Sequence, residues 1–136
     1  MATKRKRKTR RGLRGVEEQR ELRLYLDNDS KLYRFKQAVR ANLAKHVCRG
    51  KFSHNQAAKG FKRLTDEAAK GYGKEFDTGA AAGLRVFSPA DRKRVSKDLV
   101  KEFVRDVRNF RKGRAADLSS EEQKNLTSCP RARRAR

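Results

Sequence analysis

Beyond "DNDS" at 27–30, Leu32, Phe35, Val39, Leu43 and either His46 or Val47 recur every three to four positions. That spacing lines side chains along one face of a helix. Asp27 or Asp29 is placed to cap its start, and Gly50 to end it. Ser53 begins a second helix whose stripe is Ala57, Phe61, Leu64, Ala68, Tyr72 and Phe76. Gly60, Gly71 and Gly73 lie inside it, each costing roughly 1 kcal/mol relative to alanine, which close contact with another helix would explain. The clearest helix follows "SPAD": Ser88 as N-cap, Pro89 at the first helical position, and a stripe of Val95, Leu99, Phe103, Val107 and Phe110 ending before Gly113.

The remaining segments are less regular. In "VEEQRELRLYL" at 16–26 Leu22, Leu24 and Leu26 alternate as in a strand, but the Glu and Gln residues favour helix. With no second strand to pair it, the segment is read as helical. "DTGAAAGLRVF" at 77–87 reads as a glycine-punctuated loop with a short extended piece at 84–87. "SSEE" offers Ser119 and Glu122 as a capping box for a short last helix. The prediction is a mainly α fold, a small bundle of three main helices with short extra helices and disordered basic tails. Its divisions are a disordered basic arm at 1–15, a helical domain at 16–113, and a C-terminal segment at 114–136. Phe35, Phe61, Phe76, Phe103 and Phe110 are its expected large core side chains.

Composition changes the picture from any helical domain to a cationic one. The 136 residues hold 38 Lys and Arg against 16 Asp and Glu, a net charge of +22. Such charge repels itself in a compact state unless a polyanion neutralises it. Twelve of the cations lie in the two ends, as Lys4, Arg5, Lys6, Arg7, Lys8, Arg10, Arg11 and Arg14, then Arg131, Arg133, Arg134 and Arg136. Every acidic residue lies between Glu17 and Glu122, so the body alone still carries +10. Fifteen extended residues reach roughly 50 Å, enough for a binding arm that follows a groove. "KRKRK" also fits a nuclear-localisation pattern.

On the helix after Pro89, Arg94, Lys97, Lys101, Arg105, Arg108 and Lys112 follow at intervals of three or four, a narrow strip at about 100° per residue. Asp98, Glu102 and Asp106 lie beside it. The strip suits phosphate contact; the plainer alternative is a solvated face laced with ion pairs four residues apart. Arg34, Lys36, Arg40 and Lys45, with Lys59, Lys62, Arg63, Lys70 and Lys74, extend the charge more diffusely. Tyr25, Tyr33 and Tyr72 could stack on unpaired bases, although Tyr72 falls on an apolar stripe.

Catalytic and metal chemistry find little footing. His46, Cys48, His54 and Cys129 lack zinc-finger spacing, "DND" lacks the remaining calcium ligands, and "GYGKEF" lacks the strand and hydroxyl of a phosphate loop. No metal or cofactor is expected, and the chain is read as non-enzymatic. Cys48 and Cys129 are expected as free thiols. No stretch approaches the roughly 20 apolar residues of a membrane span, so no membrane partner is expected and the location is read as cytoplasmic or nucleoid-associated, with virion or nucleus open. The partner is nucleic acid, DNA or RNA, either as a compacting or architectural protein or as a ribosomal-type RNA binder. The alternative is an assembly protein, such as a virion component, that forms a homo-oligomer through its helices and meets packaged nucleic acid with its tails.

"ELRLYLDNDSKLYR" at 21–34, "AAKGFKRLTDEAAKGYGKEF" at 57–76 and "FSPADRKRVSKDLVKEF" at 87–103 resemble a family of small uncharacterised proteins from phages and bacterial mobile elements. The resemblance covers about residues 20–105. It implies a compact helical domain in a phage or mobile-element setting, and brings no activity and no site residues.

Overall fold

The computed structural model describes residues 11–128. Within them six helices run in the order α1 (Arg11–Asn28), α2 (Ser30–Cys48), α3 (His54–Phe76), α4 (Ala80–Val86), α5 (Pro89–Arg111) and α6 (Ser120–Thr127), with no strand among the described residues. Four are long, against the three expected, and α1 begins inside the segment expected to be disordered. Residues 1–10 of the expected arm and 129–136 of the expected tail lie outside the described residues.

The caps follow local chemistry. Asp29 is the N-cap of α2, its Oδ1 accepting from the backbone N–H of Lys31 and Leu32 at 3.0 Å each. Ser53 and Ser88 cap α3 and α5 by accepting from Gln56 and Asp91 N–H. Ser119 and Glu122 form the expected capping box on α6. Each satisfies backbone donors that a helix start leaves without partners.

α3 lies at the centre, against α1, α2, α4 and α5, while α6 packs on α2. Leu22 and Leu26 of α1, four residues apart, are fully buried, whereas Leu24 between them is exposed; the three-leucine alternation is one helix face plus an outlier. Phe61, Phe87 and Phe103 are the largest fully buried side chains. Phe76, expected in the core, is instead 61% exposed, its ring lying against Tyr25 and Tyr72 at the surface.

Phe87 is buried because 80–86 is a helix rather than the expected loop. α4 can approach α3 only through glycine. A Cβ built on Gly83 would stand 2.9 Å from Gly73 N, and one on Gly73 would stand 2.8 Å from Gly83 Cα. These neighbours are backbone, which cannot rotate aside. Gly83→Ala should therefore push α4 off α3 and destabilise the protein by about 1–3 kcal/mol, the range for overpacking a filled interior. Urea denaturation checks this; an unchanged midpoint would show that α4 is not held where described.

The cysteine expectation also changes. Among the described residues no cysteine is free, and Cys48 is disulfide-bonded, its Sγ lying 3.1 Å from the carbonyl oxygen of Leu126. Cys129 lies outside the described residues.

Candidate nucleic-acid interface

The sequence places six cations on one strip, five on α5 and Lys112 at its C-cap, and Arg94, Lys97, Lys101, Arg105, Arg108 and Lys112 are all exposed. What frees them is where the acids of the same helix go. Glu102 accepts from the two terminal guanidinium nitrogens of Arg23 on α1, at 2.8 and 2.6 Å. Asp106 turns to Arg40 of α2 at 2.9 Å, and buried Asp91 accepts from Gln19 at 3.2 Å. Of the acids on α5, Asp98 stays with the strip, 3.6 Å from Arg94. Among the described residues Lys97, Lys101, Arg108 and Lys112 meet no carboxylate within ion-pair distance. The plainer alternative, a ladder of ion pairs four residues apart on this face, is reduced to that single contact.

Two bases first grouped with the diffuse surface charge serve the fold instead. Arg40 is 6% exposed. Its Nε donates to Glu122 at 2.6 Å, and its Nη2 donates to Asp106 at 2.9 Å and to the Asp117 carbonyl at 3.1 Å. The guanidinium carbon also lies 5.5 Å from the Phe103 ring centroid, so one buried cation joins α2, α5 and α6. Lys36 pairs with Asp27 at 3.2 Å and lies over the Tyr33 ring. Arg92, on α5 beside the strip, donates to Asp66 of α3 at 2.8 Å and to the Phe87 carbonyl at 3.0 Å. No spacing rule distinguishes these inward bases from the outward ones, although a basic residue at helical spacing with an apolar stripe, as Arg40 is with Leu43, is a usable warning.

The ion pairs set an acid limit on the fold. The Arg23 hydrogen bonds outweigh burial and hold the Glu102 carboxyl below its ordinary 4.5. Burial pushes Asp66 up, and hydrogen bonds from Arg92 and Lys62 more than offset it, leaving it below 3.8. Because these groups are more acidic folded than unfolded, they stabilise the fold above the unfolded values, and that stabilisation is lost as pH falls through the folded ones. Denaturation midpoints should fall steadily as pH drops below about 4.5, and Arg23→Met should flatten part of that decline. An identical acid profile for the variant would remove Glu102 from the explanation.

Two of the three tyrosines considered for base stacking are engaged by carboxylates instead. Tyr25 Oη donates to Glu75 at 3.1 Å and Tyr72 Oη to Glu21 at 2.9 Å. Burial, then these carboxylates, push both hydroxyls up to about 12. Their rings stack edge-on at 5.6 Å and adjoin Phe76. Carboxylates at the ring edges repel a phosphate backbone.

Of the remaining expected contacts, Lys4, Arg5, Lys6, Arg7, Lys8, Arg10, Arg131, Arg133, Arg134 and Arg136 lie outside the described residues, and Arg11 and Arg14 fall in the first turns of α1. His46 Nδ1 is 2.9 Å from the Asn42 carbonyl and its Nε2 is 3.2 Å from Gln56. Among the described residues no three His, Cys, Asp or Glu side chains are grouped to hold a metal, and no helix is long and apolar enough to cross a membrane. The fold and this face define an all-helical protein with a sorted cationic surface. No family model, curated protein or solved structure matches the chain.

Proposed function

We propose that this protein binds nucleic acid without catalysis, by neutralising phosphates with the α5 strip and the basic ends. The supporting observation is the sorting of charge along α5: its carboxylates Glu102 and Asp106 are consumed by Arg23 and Arg40, while four of the six strip cations keep no acidic partner among the described residues. A helix that merely needed solvation would gain from pairing its own charges. Affinity should then follow counter-ion release, log K falling by about 0.9 per phosphate contact for each tenfold rise in salt on duplex DNA.

Nuclease-treated full-length protein titrated against matched duplex DNA, duplex RNA and single-stranded RNA across a salt series tests this. Preference for structured RNA supports a ribosomal-type binder, equal or better DNA binding supports a compacting or architectural one, and salt-insensitive binding or none refutes the proposal. Deleting residues 1–10 stops short of α1 and removes six cations. The truncation should lower both the affinity and the salt slope while leaving the melting temperature unchanged. Loss of all binding would leave the α5 strip without a role.

A second reading, assembly through helix faces, is favoured by one surface. Leu24 is 56% and Phe76 61% exposed beside Tyr25 and Tyr72, and the groove they line is rimmed by Glu21, Asp29 and Glu75. An acidic rim complements the cationic face of a second copy. Sedimentation of nucleic-acid-free protein separates the two readings: a stable oligomer abolished by Phe76→Ser supports assembly, and a monomer supports the simple binder.

A further inference from the structure

The strip does not end at a bare surface. Its last members, Arg108 and Lys112, form with Arg111 one rim of a groove of about 570 Å³ between α5 and the α2–α3 connection. The walls are apolar, with Val47 and Phe52 on one side and Val104 on the other, over buried Phe103. Phe52 lies at 5.9 Å, tilted by 36°, on the Phe103 ring and edge-on at 5.4 Å to His54. The volume falls in the range of about 300–1,000 Å³ typical of small-ligand sites. No acidic residue lines it, whereas the two grooves beside α1 are lined by Glu75 and Asp29.

An occupant must therefore have an apolar face for the walls and an anionic group for the rim. The chain's own arginine-rich ends have the wrong charge, and a duplex has the right charge but keeps its bases stacked. A nucleotide free of its stack supplies both, its base entering against Phe52 and its phosphate remaining at Arg108, Arg111 and Lys112. Folded RNA displays such nucleotides in bulges and loops, the features by which RNA is recognised by sequence. We propose that this groove receives an unpaired base of bound RNA, so that the strip holds the flanking helix and the groove selects the bulge. The inference rests on the nucleic-acid reading above and narrows its partner to structured RNA.

The test compares the full-length protein on an RNA hairpin with an uninterrupted stem and on the same hairpin with one bulged nucleotide, at several salt concentrations. Because ring stacking on a base is a sequence-tolerant and sizeable contact, the bulged hairpin should bind on the order of tenfold tighter. Phe52→Leu keeps an apolar side chain against Phe103 and removes the ring; Val104→Trp fills the groove from its partly exposed wall. Both should lose the bulge preference and keep wild-type affinity and salt slope on the uninterrupted stem, with melting curves confirming that each is folded. Equal wild-type affinity for the two hairpins with a steep salt slope would overturn the groove while leaving phosphate binding intact. A preference that survives in both folded variants would also overturn it, and salt-insensitive binding or none would remove the groove and the strip together.

Discussion

Replacing Lys97, Lys101, Arg105 and Arg108 together with glutamine should lower the salt slope on duplex DNA by as much as about 3.6, or about 0.9 for each lost phosphate contact. At about 0.1 M salt that corresponds to a loss of affinity on the order of a thousandfold. All four side chains are exposed; the ion-pair contact among them is Arg105 to Asp106 at 3.6 Å, and Asp106 keeps Arg40 at 2.9 Å. The fold should thus survive, and removing like charges from a chain of +22 should if anything relieve self-repulsion. Filter binding or anisotropy across a salt series, beside a melting curve, gives the answer. A folded variant with an unchanged slope would assign the phosphate contacts to other cations and end the case for α5.

Arg40→Ala should have the largest effect on stability. It leaves the Glu122 side chain, 2% exposed, without its cation, and Asp106, 4% exposed, with only the longer 3.6 Å contact to Arg105. Stranding buried charge in this way costs about 3–5 kcal/mol, a large part of the roughly 5–15 kcal/mol that holds a domain folded. The cost lies in the abandoned carboxylates more than in the lost attraction, so R40M/D106L/E122Q should be milder than Arg40→Ala alone. Glutamine at 122 retains an oxygen for the Ser119 N–H that Glu122 now accepts at 2.6 Å. Urea denaturation of the three proteins is decisive: a loss below about 1 kcal/mol for Arg40→Ala would mean that solvent reaches the site and that α6 is not anchored through it.

These two predictions concern bases that look alike in the sequence. Arg40 and Arg105 each sit on a basic, amphipathic helix, yet one is an internal tie and the other faces outward. The α5 strip was legible because its six positions repeat within one helix, whose geometry is fixed by the chain itself. The groove above Phe103 was not, because Phe52 comes from a connection and Val104 from α5, and nothing local says that they meet.

The same division runs through the resemblance-bearing segments. "LYLDND" supplies the buried Leu26 and the Asp29 cap, and "KEF" supplies Glu75, which receives the Tyr25 hydroxyl, and the exposed Phe76. Capping and core-facing leucines are positions a sequence reading can assign. The Tyr25–Glu75 bond spans 50 residues, and its existence depends on α1 crossing α3.

By itself the sequence determined the helical class, the starts of α2, α3, α5 and α6, their main apolar stripes and the cationic strip, because caps and periodicity act over three or four residues. Tertiary structure decided what that range cannot reach. It buried Arg40 against Glu122, 82 residues away, turned Glu102 to Arg23 across 79, and drew α4 as a helix onto α3 where Gly73 and Gly83 let two backbones meet. It also left Phe76 in solvent. The physical reason is common to all four: a residue's type fixes what it can offer, but which charge is neutralised and which ring is covered depends on the helix that packs beside it.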